Sequence, residues 1–371
     1  MIASLLAMTL ALSSGDAPAS PSNAAAGSAW QTNADGAALP LAHIALPRRA
    51  GTLSLTGTGE GTHRGEHIDN VAQFESPDRQ VFATVFVFTP SQPDPRLIAI
   101  GTHNAIRLQS GSGLETGPSR QVAAGGVAGT AILRSYGHFR GTLASIVAVI
   151  KSGRWIVAVR VSGPDDRRAE VEAAATALLD GMRFDEAAKP QISPATDLAA
   201  CGTEVQSRDA RLLPPLPLEH LLLMVAMVNM GSAVSEGDDS HAPPRVPSRA
   251  ADTLCLASRL HIGNQTAPLI HQSDAQGNRV AVYAILDDAG GLFEVSAFNS
   301  PLGNAHAFQL YHRAIGRTEI LGNFDRLPSD AQLAEIVADP NHRARRLIAA
   351  ATTDVDGHTN VEISADAIPH R

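Results

Sequence analysis

Lysine is almost missing from this chain. Lys151 and Lys189 are the only two, so arginine carries nearly all the positive charge. The net charge is −8, and the arginines are scattered along the sequence. Phosphate binding needs a concentrated basic face, so nucleic acid is excluded as the expected partner. Beyond the N-terminus no apolar run reaches the length that crosses a bilayer, so no membrane span is expected. Several catalytic signatures are missing too. There is no G-x-S-x-G elbow, no S-x-x-K, no G-x-x-x-x-G-K and no C-x-x-C, which removes the common serine-hydrolase, P-loop and dithiol readings. What is present is globular: 44% apolar and 18% charged residues over 371 positions suit two domains, each able to bury a core.

The chain opens on an apolar stretch from Ile2 to Leu12, the length of a signal-peptide core and too short to span a membrane. Small residues follow, with cleavage positions after Ser13, Ala17 or Ala19, although no Lys or Arg precedes the stretch. The expectation is a signal peptide over 1–19 and a soluble mature protein that is periplasmic or secreted. In that oxidising setting the two cysteines, Cys201 and Cys255, form an even pair and predict a disulfide.

Composition divides the rest. Residues 20–40 are rich in Ala, Ser, Pro, Asn and Gly and read as a flexible spacer. An N-terminal domain spans 41–186 and a C-terminal domain 252–371. Residues 187–251 form a linker, holding an apolar helix over 218–230, expected to be buried, and a mobile loop at 231–251. In the first domain, Gln80 to Phe88 is apolar on both alternating faces, which predicts a central strand covered on two sides. Leu143 to Ile150 and Arg154 to Val161 repeat the pattern around a Ser152-Gly153 turn. A helix is predicted from Pro95 to Leu108. Another follows Gly163-Pro164-Asp165-Asp166, with Val171, Ala174, Ala175, Leu178, Leu179 and Met182 on one face. In the second domain, strands are predicted at Thr253–Ile262, Asn278–Leu286, Leu292–Phe298, Ala307–Ile315, Leu347–Thr353 and His358–Ile363. Ser329-x-x-Gln332 reads as a capping box opening a short helix. The fold class is α+β: two lobes, each an antiparallel sheet with packed helices.

The first lobe resembles the PsbP/Mog1-like fold. The resemblance is carried by element order and by the ending GRWIVAVRVSGPDDRRAEVEAAATALLDGMRF, a last strand followed by a docking helix. It implies an α-β-α sandwich. It also implies a binding or assembly factor rather than an enzyme, with no catalytic residues and no cofactor to assign.

One segment points elsewhere. His63-Arg64-Gly65-Glu66-His67 matches H-x-x-E-H, in which two His one helical turn apart hold zinc and the Glu acts as general base. Gly65 and the glycine-rich run before it favour a loop over the helix this chemistry needs. Gly125-Gly126-Val127-Ala128-Gly129 reads as a turn rather than a phosphate cradle, and Asp354-x-Asp356-Gly357 as a hairpin turn rather than a calcium loop. His103 and the other isolated histidines have no ligand spacing, and Arg160 sits on a strand among apolar neighbours. The leading expectation is an exported, non-enzymatic binding or assembly protein with a protein or small-molecule partner in the envelope. The alternatives are a zinc hydrolase using His63, Glu66 and His67, and a carrier of a small apolar ligand beside the 218–230 helix.

Overall fold

The computed structural model describes residues 29–61, 66–110, 112–195, 197–202, 209–214, 253–262, 265–299, 306–338 and 347–365. They form an α+β protein of two lobes, dominated by antiparallel sheets. A nine-stranded sheet organises the N-terminal lobe. Phe82–Phe88 runs near its middle, between Asp69–Glu75 and Trp155–Pro164, and Leu143–Ser152 and Val127–Phe139 continue outward. The apolar alternation read from the sequence sorts these strands onto two cores. Ala83, Val85 and Val87 join one, and Phe86 and Phe88 join the other. The same split recurs in Leu143–Ser152, with Ile146, Ala148 and Ile150 on the first side and Val147 and Val149 on the second.

Each face is covered by one helix. Helix α1 spans Pro95–Ser110 and α2 spans Arg168–Gly181. The predicted face of α2, Val171 to Met182, is buried in the first core. Helix α1 lies over the second core with Ile98 and Ile106. A small sheet of Gln31–Thr32, Gly36–Leu39, Ile44–Pro47 and Arg183–Phe184 extends the α2 side. Part of the stretch expected as spacer is therefore folded. Trp30 is buried and its indole N–H donates to the Gly59 carbonyl at 3.2 Å. The small residues Gly36-Ala37-Ala38 carry little strand propensity, which hid this strand from sequence.

The C-terminal lobe is an eight-stranded meander, each strand paired antiparallel with the one before it. The six predicted strands are present, and Gln265–Ser273 and Arg317–Phe324 are added to them. Both escaped notice for physical reasons. The first contains Pro268, which argues against an interior strand. The second contains Gly322 and a register shift against Leu310 and Tyr311 that breaks its alternation. Helix α3, Asp330–Ala338, buries Leu333, Ile336 and Val337 against one face of the meander. Ser329 Oγ accepts the Gln332 N–H at 3.2 Å, as the capping signal predicts. The Gln332 side chain does not close the box. It pairs with the backbone of Ala210 instead, donating at 2.7 Å and accepting at 2.8 Å.

Residues 189–195, 197–202 and 209–214, read as linker, run extended along both lobes. Ser193 N–H donates to Gly129, Cys201 N–H to Leu256, and Leu213 N–H to Asn323, all between 2.8 and 3.0 Å. The predicted disulfide Cys201–Cys255 is formed and fastens this strap to the first strand of the meander. The expected helix at 218–230 and loop at 231–251 lie outside the described residues. No helix among the described residues is long and apolar enough to cross a membrane.

The lobes meet across α1. Its second face, Leu97 and Ile100, packs into a core with Ile270, Tyr283, Ile285 and Leu292 of the meander. Burying each of these side chains contributes roughly 2 kcal/mol. Gly101 permits the approach, since a Cβ there would lie 2.3 Å from the Asp287 carbonyl oxygen. Hydrogen bonds from Gly316 N–H to Thr89 and from Ser91 N–H to Ala314, at 3.0 and 3.1 Å, seal a second contact.

Two stability outcomes follow. Alanine normally favours a helix over glycine by about 1 kcal/mol. Here the clash with Asp287 costs more, so Gly101→Ala lowers stability by about 1–2 kcal/mol net in urea denaturation. A stabilised variant would refute the close contact. Replacing both cysteines by serine opens a crosslink between residues 54 apart, and costs about 4 kcal/mol on the chain-entropy model. Comparing denaturant midpoints of the oxidised protein and the double variant measures it.

Candidate anion site between the lobes

Helix α1 presents Ala99, Ile100, His103 and Asn104 on one side, spaced a helical turn apart, and these line a cavity of about 180 Å³ between the lobes. The N-terminal sheet supplies its floor. Ile132, Arg134 and Tyr136 alternate along Val127–Phe139 and so share a face, joined by Val147 and Val149 from the next strand. The meander contributes Leu256, Arg259 and Pro268, and the strap contributes Asp197 and Leu198.

Positive charge dominates the polar part of this wall. Arg134 donates to the Asp197 carboxylate, and the Ser119 N–H donates to the same group at 3.2 Å. Arg259 on this wall and Arg107 beside it have no carboxylate partner among the described residues. Both reach the neutral side-chain oxygen of Asn104, at 3.2 and 3.4 Å. Asn104 is held in place by its own donation to the Thr266 carbonyl, 2.8 Å away. Burial and the neighbouring Arg107 charge both push the Arg259 pKa down. Three buried polar atoms, His103 Nδ1, Arg107 Nε and Ser119 Oγ, have no hydrogen-bond partner among the described residues. Such groups cost free energy unless something satisfies them.

His103 is the group most altered by this setting. Burial first, and then the fields of Arg134, Arg107 and Arg259, depress its pKa to about 4, so it is neutral near pH 7. Its ring stacks on Tyr136 at 5.9 Å between centroids. Burial also raises the Tyr136 phenol above its ordinary range, so this group too is neutral. The cavity therefore combines one guanidinium without a carboxylate partner among the described residues, Arg259, and a second beside it, Arg107, with neutral ring groups and an apolar floor.

A second cavity, of about 230 Å³, lies beside Glu115, Ser145 and Arg168. Its arginine is already paired. Arg168 pairs with Glu115 at 3.3 Å and Asp165 at 3.2 Å, and Asp165 also meets His138 at 3.0 Å.

The zinc candidates are placed differently. His63 lies outside the described residues. Glu66 is exposed and His67 half-buried in a non-helical connection leading into Asp69–Glu75. His67 has a left-handed backbone, φ 55°, and its N–H donates to the Glu60 carboxylate at 2.6 Å. Gly125 and Gly126 form the expected turn with positive φ. The Asp354 carboxylate accepts the N–H groups of Asp356 and His358 within a hairpin turn. Arg160 turns toward α1 and stacks on Phe139, 4.6 Å from the ring centroid, with Asp288 as an opposing charge. His103 appeared in sequence only as an isolated histidine. Arg107, Arg134, Arg259 and Asp197 drew no notice, and the one local signal was the one-turn spacing of His103 and Arg107. Comparison with known proteins finds no matching family model, no matching curated protein and no matching solved structure. Fold and site together define a class: a two-lobed α+β protein with a cationic cavity between its lobes.

The sign of the pH effect at His103 is fixed by its depressed pKa. Between about pH 6.5 and about 4 the unfolded chain binds a proton that the folded chain refuses. Stability is unaffected by this group above that window and falls as the pH drops through it. Thermal midpoints measured at pH 7 and pH 4.5 should fall further for the native protein than for His103→Gln. Equal losses would show that His103 is not held neutral.

Proposed function

We propose that this chain is an exported, non-enzymatic binding protein that takes a small anionic ligand between its two lobes. One observation carries the reading: Arg259 lines an interlobe cavity and Arg107 lies beside it, both bonded to the cavity-lining Asn104 and neither paired with a carboxylate among the described residues, leaving charge that an incoming anion can neutralise. Arginine suits the task because its planar fork donates in pairs to an oxyanion. A non-catalytic role accords with the resemblance of the first lobe to the PsbP/Mog1-like fold. Export accords with the N-terminal apolar stretch and with the disulfide.

Native mass spectrometry of protein isolated from an exporting host tests the reading. The expected spectrum shows a processed, oxidised chain carrying one low-mass anion that leaves on denaturation. Arg259→Gln, altered at an exposed position, should retain much less of it. A processed chain whose bound species is a metal ion, lost in His67→Ala, would replace this reading with the hydrolase one.

A further inference from the structure

The walls of the interlobe cavity differ in depth. Ile132, Val147 and Val149 at its floor are at most 5% exposed. Arg259 is exposed, and Asp197 keeps 57% of its side chain in solvent. The cavity thus runs from a charged mouth to an apolar base. Its volume, about 180 Å³, is slightly above the roughly 150 Å³ at which an apolar cavity accepts benzene. An inorganic anion would leave the floor unfilled, and a neutral apolar molecule would leave the two arginines uncompensated.

The chain also shows which anion chemistry suits the mouth. Its own Asp197 carboxylate is seated there, accepting from Arg134 and from the Ser119 N–H. A second carboxylate beside Arg259 would relieve its repulsion with the neighbouring Arg107, and the cavity-lining His103, whose Nδ1 has no hydrogen-bond partner among the described residues, offers it a further hydrogen bond. Resting on the reading of this cavity as the binding site, we propose that its ligand is an amphiphilic monocarboxylate whose apolar body is about the size of a benzene ring. The carboxylate lies toward Arg259 and Arg107, and the apolar body rests on Ile132, Val147 and Val149.

Isothermal titration of the full chain at neutral pH with benzoate, hexanoate, benzyl alcohol and inorganic phosphate tests the assignment. Benzoate or hexanoate is expected to bind at one site per chain, at least about tenfold tighter than benzyl alcohol, the difference one charge-assisted hydrogen bond makes. Arg259→Gln should weaken the carboxylate by about tenfold and leave benzyl alcohol unchanged. Ala99→Leu, which fills the cavity without altering its charge, should abolish binding of both. Phosphate binding as tightly as benzoate, and weakened by Arg259→Gln, would overturn the amphiphile while leaving the anion site in place. Benzyl alcohol matching benzoate would overturn the carboxylate. No binding by any of the four would sink the ligand class and the binding-site reading together.

Discussion

Helix α1 is buried on two sides. Ile98 and Ile106 point into the N-terminal sheet, while Leu97 and Ile100 point into the meander. A helix that is apolar on two sides must be covered on both, and here each lobe supplies one cover. The strand that leads into it, Phe82–Phe88, is held between neighbours and continues into contacts with the meander through Thr89 and Ser91. The helix is therefore part of the N-terminal lobe by sequence and part of both lobes by burial.

The cavity is a consequence of that arrangement. Where α1 turns its Ala99, His103 and Asn104 side toward neither core completely, the facing sheets do not close on it. The strap then crosses the opening, positioned by its backbone bonds to both lobes and by the disulfide to Cys255. Asp197 sits on that strap and neutralises one of the arginines. The meander's remaining polar side chains are dealt with differently. Glu294 is fully buried and accepts from both Ser296 and Arg313, and Gln309 links Tyr311 to Asn323. Such a network, paired within itself apart from the Asn323 Nδ2, favours one strand register over a slipped one.

Much of the fold was legible before any coordinates. Period-two alternation in Phe82–Phe88 and Leu143–Ser152 announced a sheet covered on both faces, and period-3.6 spacing placed the buried side of α2. Several strands went unread, Leu53–Glu60 and Asp69–Glu75 among them, and three have local chemistry that contradicts their setting: Gly36–Leu39 by its small residues, Gln265–Ser273 by its proline, Arg317–Phe324 by its irregular register. The site was far less legible. Its charged groups come from a helix, a strand, the strap and the meander, spanning positions 107 to 259, and no short motif joins them.

The sequence by itself determined the class of architecture, the buried face of α2, the capping serine of α3 and the pairing of the only two cysteines. Each of these depends on residues close in sequence or on a choice with a single solution. Which arginines converge, which of them lacks a counter-ion and why one histidine stays neutral were decided only by the tertiary structure. Charge and burial act through space, and folding brings together groups that the linear order keeps more than a hundred residues apart.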